Sequence, residues 1–134
     1  KKHIGAFQRI TLTILTISYP ALLETVISAL EKLPSETSIV WRGVVGNVDD
    51  SDFEENRIFT WLGINSCSSK VDTARTFVGS SGTLFCINTT YGKNIAKYSA
   101  NRGEDEVILM PGTRLRVHSG SLEDGFHIVY LNEW

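Results

Sequence analysis

Helical periodicity is concentrated at the start of this chain, and that asymmetry limits what it can fold into. Pro20 stands where a first-turn proline does no harm, because its missing N–H would be unpaired there anyway. Leu22, Leu23, Val26, Ile27, Leu30 and Leu33 then form one apolar stripe at helical spacing, closed by Pro34. Residues 6–18 carry threonines that favour a strand, yet Phe7, Ile10, Ile14 and Ile17 keep a helical stripe, so a helix is expected there as well. After Pro34 the pattern changes. Ser38–Val45, Arg57–Trp61, Thr83–Asn88, Arg114–His118 and Phe126–Leu131 read as strands, with a short helix over Val71–Phe77. Turns are expected at Gly79–Gly82 and Tyr91–Ile95, and a polar loop from Ala96 to Arg102. Helices followed by a run of strands argue for an α+β fold with largely antiparallel sheets.

The chain of 134 residues is long enough for one domain and one core. Its net charge of −2 gives no basic excess, so no nucleic-acid partner is expected. The apolar run Ile10–Tyr19 is too short and too interrupted by hydroxyl residues to cross a membrane. The acidic loop Asn47–Asn56 lacks the glycine and terminal glutamate of an EF-hand, and no metal-ligand spacing occurs, so no metal is expected. Cys67 and Cys86 read as a buried pair of free thiols.

Chemistry concentrates at Gly103-Glu104-Asp105-Glu106, which leads into the apolar run Val107–Met110 and the Pro111-Gly112 turn. In extended backbone, Glu104 and Glu106 would leave one face and Asp105 the other. Like charges on one face repel, which suggests a working pair. One carboxylate would face developing positive charge and the other would handle a proton. Arg42 sits inside a strand and is followed by Gly43. Such an arginine is more often solvated, but its planar fork suits phosphate oxygens and Gly43 permits close approach of a ligand. Ser66 and Ser68 share a strand face, with Cys67 turned toward the core. No nucleophile elbow accompanies these serines.

Trp41-Arg42-Gly43-Val44, Ser66-Cys67-Ser68, Gly82-Thr83-Leu84-Phe85 and Glu104-Asp105-Glu106 occur in an order that resembles the mono-ADP-ribosyltransferase family. The similarity is to the subclass with Arg, Ser and Glu motifs, which includes cholera-toxin-like and clostridial binary toxins and animal ecto-enzymes. The resemblance implies a two-sheet core with the NAD cleft between the sheets. It implies a single catalytic domain over residues 1–134, short at its N-terminus relative to the family, and acting as a monomer. Arg42 resembles the arginine that holds NAD through a phosphate, and Gly43 the backbone contact to the nicotinamide amide. Ser66, with Ser68, resembles the serine motif that supports the NAD cleft and the catalytic glutamate. Cys67 departs from the usual middle threonine. Phe77 resembles the aromatic that packs on nicotinamide. Tyr98 to Gly103, with Arg102, looks like the loop that meets the target protein. Glu106 resembles the catalytic glutamate, and Glu104 the upstream glutamate that accompanies arginine as acceptor. The implied reaction moves ADP-ribose from NAD to an arginine side chain. Water as acceptor would make the same cleft an NAD glycohydrolase, and a weak NAD-binding module is a third reading. Asp105 is expected to be dispensable.

Overall fold

The computed structural model describes residues 20–45, 50–78, 82–98, 105–123 and 126–134. The helix expected over residues 6–18 lies outside the described residues. The first described helix, α1 (Pro20–Glu31), follows its proline bracket, and the six stripe positions are the buried or half-buried ones. Lys32 N and Leu33 N donate to Ala29 O and Leu30 O and tighten its last turn. The buried Lys93 ammonium donates to Leu33 O at 2.8 Å and to Ser35 Oγ at 3.1 Å. A cation at a helix C-terminus opposes the partial negative charge of the last carbonyls.

Among the described residues seven strands follow: β1 (Ser35–Val44), β2 (Ile58–Trp61), β3 (Asn65–Ser68), β4 (Thr83–Asn94), β5 (Glu106–Leu109), β6 (Thr113–Glu123) and β7 (Phe126–Glu133). Helix α2 (Val71–Val78) lies between β3 and β4. All of the pairings are antiparallel except β4 with β7. The strand order is β1-β3-β5-β4-β7-β6-β2, and β1 also pairs with β4. The strands β1, β3, β5 and β4 therefore close on themselves. The short pair β3–β5 is tied to β1 through Trp41 opposite Ser68, and to β4 through Lys93 opposite Ile108. This is the α+β, largely antiparallel core that the pattern of elements implied.

The sequence pattern erred at Tyr91–Ile95. This stretch has turn composition, yet β4 continues through it to Asn94. Between Glu36 and Ser38 the β1–β4 register shifts, leaving an extra residue in β4. The amides freed there do not go unpaired. Glu133 Oε1 accepts from Thr90 N at 2.8 Å, Tyr91 N at 3.0 Å and Thr89 Oγ1 at 2.6 Å. A carboxylate on the distant strand β7 thus turns a local turn signal into a bulged strand. The polar loop expected from Ala96 begins as a 3-10 turn, Ala96–Tyr98, with Ala96 N donating to Asn94 Oδ1.

Alternation along β1 and β4 divides the core. Val40, Phe85 and Ile87 join Cys67, Val107, Leu109, Leu115, Val117, Val129 and Leu131 on one side. Phe53, Phe59 and Trp61 pack against that cluster, with Trp61 edge-on to Phe85 at 5.6 Å between ring centroids. On the other side Leu84, Ile128 and Ala74 of α2 meet Trp41 and Tyr130. The two thiols follow the same alternation: Cys67 is fully buried, whereas Cys86 is only half-buried opposite Trp41. No helix among the described residues is long and apolar enough to cross a membrane.

Helix α2 reaches the sheet because two glycines let it. A Cβ on Gly43 would sit 2.3 Å from the Ala74 carbonyl oxygen, and one on Gly82 would sit 2.7 Å from Val44 O. Both glycines also abut Val78, so the end of α2 rests directly on backbone. Gly43→Ala is expected to cost about 1–3 kcal/mol by forcing the helix off β1, measured by urea denaturation. A second expectation concerns pH. Burial pushes the Cys86 thiol up from its ordinary value. The folded state then holds this proton at a pH where the unfolded chain has released it. Stability from this group is present below the ordinary thiol pKa and is lost as pH rises through the folded value. Denaturation midpoints should decline at alkaline pH, and Cys86→Ala should flatten that decline.

Candidate active site

The site is assembled by one short ladder. Strands β3 and β5 pair with Ser66 opposite Ile108, Cys67 opposite Val107 and Ser68 opposite Glu106. Directly opposite residues in an antiparallel pair point to the same face. Ser66, Ser68 and Glu106 therefore share one face, while Cys67 and Val107 fill the core on the other. The Cys67 departure from threonine is accommodated because this position packs rather than faces the site.

Glu106 is buried, with 7% of its surface exposed. A buried carboxylate needs donors. Ser66 Oγ–H donates to Glu106 Oε2 at 2.5 Å. From β1, Arg42 Nη1 donates to the Ser66 carbonyl oxygen at 2.8 Å. A single serine thus receives the guanidinium through its carbonyl and holds the carboxylate through its hydroxyl. The half-buried Arg42 spends one N–H on this anchor and keeps the rest of its fork. Ser68, 2% exposed, accepts from Lys70 N at 3.0 Å and so shapes the turn into α2.

The carboxyl end of β3 and the start of β5 are tied further. Ser69 N donates to Asp105 O at 3.1 Å, and Glu106 O accepts from Ile95 N at 3.0 Å. The second bond joins Glu106 to the 3-10 turn that carries Tyr98, which is 65% exposed. Tyr98 accordingly lies three residues from a direct backbone contact with Glu106.

Of the other expected residues, Gly43 is on β1 beside Arg42 and is the seat of α2, a packing role the sequence did not disclose. Phe77 is half-buried on the last turn of α2, adjacent to the Val78 that abuts Gly43 and Gly82. Glu104 and Arg102 lie outside the described residues, as does most of the Gly79–Gly82 turn. One element of the sequence argument is corrected. A common face for Glu104 and Glu106 requires extended backbone, but Asp105 has φ of 46°, in the left-handed region. Alternation does not carry through such a residue. Sequence reasoning also passed over Lys70, Lys93 and Ile95. Lys70 and Ile95 touch the site through backbone N–H groups, for which side-chain identity gives no signal.

Among the described residues, no group of His, Cys, Asp and Glu could hold a metal ion.

Solved structures share this fold. Vis, an ADP-ribosyltransferase from Vibrio splendidus, has been solved in complex with agmatine. It superposes with a TM-score of 0.74 at 22% identity, covering 86% of this chain and 57% of Vis. The type III effector XopAI from Xanthomonas axonopodis pv. citri gives 0.69 at 24% identity, covering 85% of this chain and 52% of the effector. Exoenzyme S from Pseudomonas aeruginosa, solved with human 14-3-3 protein beta and carba-NAD, gives 0.66 at 21% identity, covering 79% and 54%. The chain therefore spans little more than half the length of these structures. No curated protein matches it. The description of the NAD:arginine ADP-ribosyltransferase family matches residues 8–134, and the chain belongs to that family.

Removing the serine hydroxyl would leave a buried carboxylate short of a donor. Ser66→Ala is expected to cost about 1–3 kcal/mol of stability at neutral pH, read from urea denaturation, and Ser66→Thr should cost less because it keeps the hydroxyl.

Proposed function

We propose that this chain carries an NAD-dependent mono-ADP-ribosyltransferase activity that moves ADP-ribose from NAD to an arginine side chain. The observation that carries the reading is the hydrogen-bonded line from Arg42 through Ser66 to Glu106, built from three different strands in a chain of this family. Agmatine is an arginine-like guanidine, and its complex with the similar Vis structure supports a guanidinium acceptor. The carba-NAD complex of exoenzyme S supports NAD as the donor.

In this reading Arg42 holds a phosphate of NAD with the donors it does not spend on Ser66. Phe77 packs on the nicotinamide and the Gly43 backbone meets its amide. The C1′–N bond of the nicotinamide ribose breaks, and nicotinamide leaves with the bonding electron pair. Positive charge builds on the sugar in an oxocarbenium-like transition state, as in glycoside cleavage. Glu106, fixed in place by Ser66, stabilises that charge without having to reorganise. The acceptor guanidinium is a poor nucleophile until it loses a proton, because its pKa is about 12.5 or higher. Glu104 orients it and takes that proton as the new C1′–N bond forms. Tyr98 and Arg102 meet the acceptor protein.

The test is incubation with NAD and agmatine, following both nicotinamide release and ADP-ribosyl-agmatine by mass spectrometry. Glu106→Gln should lower both products by about 100-fold or more. Glu104→Gln should abolish transfer while hydrolysis of NAD by water persists. If the wild-type chain releases no nicotinamide, or Glu106→Gln matches it, the reading is wrong.

A further inference from the structure

We infer that Asp105 is a positioning residue for Glu106, acting through the left-handed backbone turn it supplies and not through its charge. The inference rests on the reading of Glu106 given above. It revises the expectation that Asp105 is dispensable.

Three observations converge on this residue. First, Asp105 has φ of 46°, and among the described residues Asn56 is the only other non-glycine at positive φ. Asp and Asn enter this region several-fold more readily than other side chains, whereas a β-branched residue there is strongly disfavoured. Second, the Asp105 carbonyl accepts the Ser69 amide at 3.1 Å, one step beyond the Ser68–Glu106 pair that ends the β3–β5 ladder. The peptide linking Asp105 to Glu106 is thereby clamped from the β3 side. Glu106 O, accepting from Ile95 N, is clamped on the β4 side. Third, the side chain itself does little that would need a carboxylate. Lys70 Nζ lies 3.4 Å from Asp105 Oδ2, and both side chains are well exposed, at 53% and 39%. Exposed pairs of this kind contribute little.

The consequence is geometric. Rotating residue 105 into extended backbone would swing its carbonyl away from Ser69 and carry the Glu106 backbone with it. The 2.5 Å contact between Ser66 Oγ and Glu106 Oε2 tolerates little displacement. Arg42 is anchored on β1 to the Ser66 carbonyl, which this rotation does not touch. Loss of the turn should therefore weaken the chemical step and leave NAD binding nearly intact.

The experiment compares Asp105→Val, Asp105→Gly, Asp105→Asn and Lys70→Ala in the NAD-cleavage assay. Exchange of the Ser69 amide is followed by NMR in the same proteins. Asp105→Val should lower kcat at least about ten-fold with KM for NAD within about three-fold, because a small misplacement of a reacting group is costly. It should also speed exchange of the Ser69 amide. Asp105→Gly and Asp105→Asn keep the turn without the charge and should restore kcat to within about three-fold of wild type, with the amide again protected. Lys70→Ala should behave like them. Wild-type kcat in Asp105→Val would overturn the inference. So would equal losses in Asp105→Val, Asp105→Gly and Asp105→Asn, since charge would then be what matters. Absence of NAD cleavage in the wild type would sink the proposed activity, whereas unchanged Ser69 exchange in Asp105→Val would sink the positioning role by itself.

Discussion

The hydrogen bond from Ser66 to Glu106 is the contact on which the site depends. A carboxylate that is 7% exposed needs donors, and this one receives a hydroxyl from the neighbouring strand. The same serine accepts Arg42 through its carbonyl. One residue thus fixes the spacing between a cation and an anion that are far apart in sequence. The two groups are joined through Ser66, by its carbonyl on one side and its hydroxyl on the other.

The scaffold puts that contact at a strand end for a reason. Strands β3 and β5 are each only four residues long. Their inward face is filled by Cys67, Val107 and Leu109, which belong to the main core cluster. Burial on that face sets the register, and a slip of one residue would exchange Cys67 with a serine and expose the core. The other face then carries Ser66, Ser68 and Glu106 together, with the buried Ile108 opposite Ser66. Closure of β1, β3, β5 and β4 on one another brings Arg42 to the same place from β1. Packing forces thus aim the polar groups of this ladder.

What the sequence made legible follows from this division. Alternation and helical stripes report burial, so α1, α2 and the strands could be read from the positions of their apolar residues. The ordered motifs could be read because the contacts that join Arg42, Ser66 and Glu106 each use a side-chain donor. What stayed hidden acts through partners far along the chain. Tyr91–Ile95 has every local mark of a turn, but Glu133 satisfies its freed amides and keeps it in β4. Lys93 lies in that same turn-like stretch, yet it caps α1 from inside the protein. Gly43 reads as room for a ligand, and the room is already taken by the Ala74 carbonyl on its Cβ side.

Gly43 also shows why one position can answer two demands. Its missing side chain faces α2, which must lie against β1 for Val78 and Ala74 to be buried. Its neighbour Arg42 alternates to the opposite side of the strand, and its guanidinium reaches the Ser66 carbonyl at the strand edge. The arginine is therefore backed by a helix resting on bare backbone, with no side chain between to act as a cushion. Such a seat is stiff. Any shift of α2 moves β1, and with it the guanidinium whose distance from Glu106 is set through Ser66. The packing requirement at Gly43 and the alignment requirement at Arg42 are one constraint seen from the two faces of a single strand.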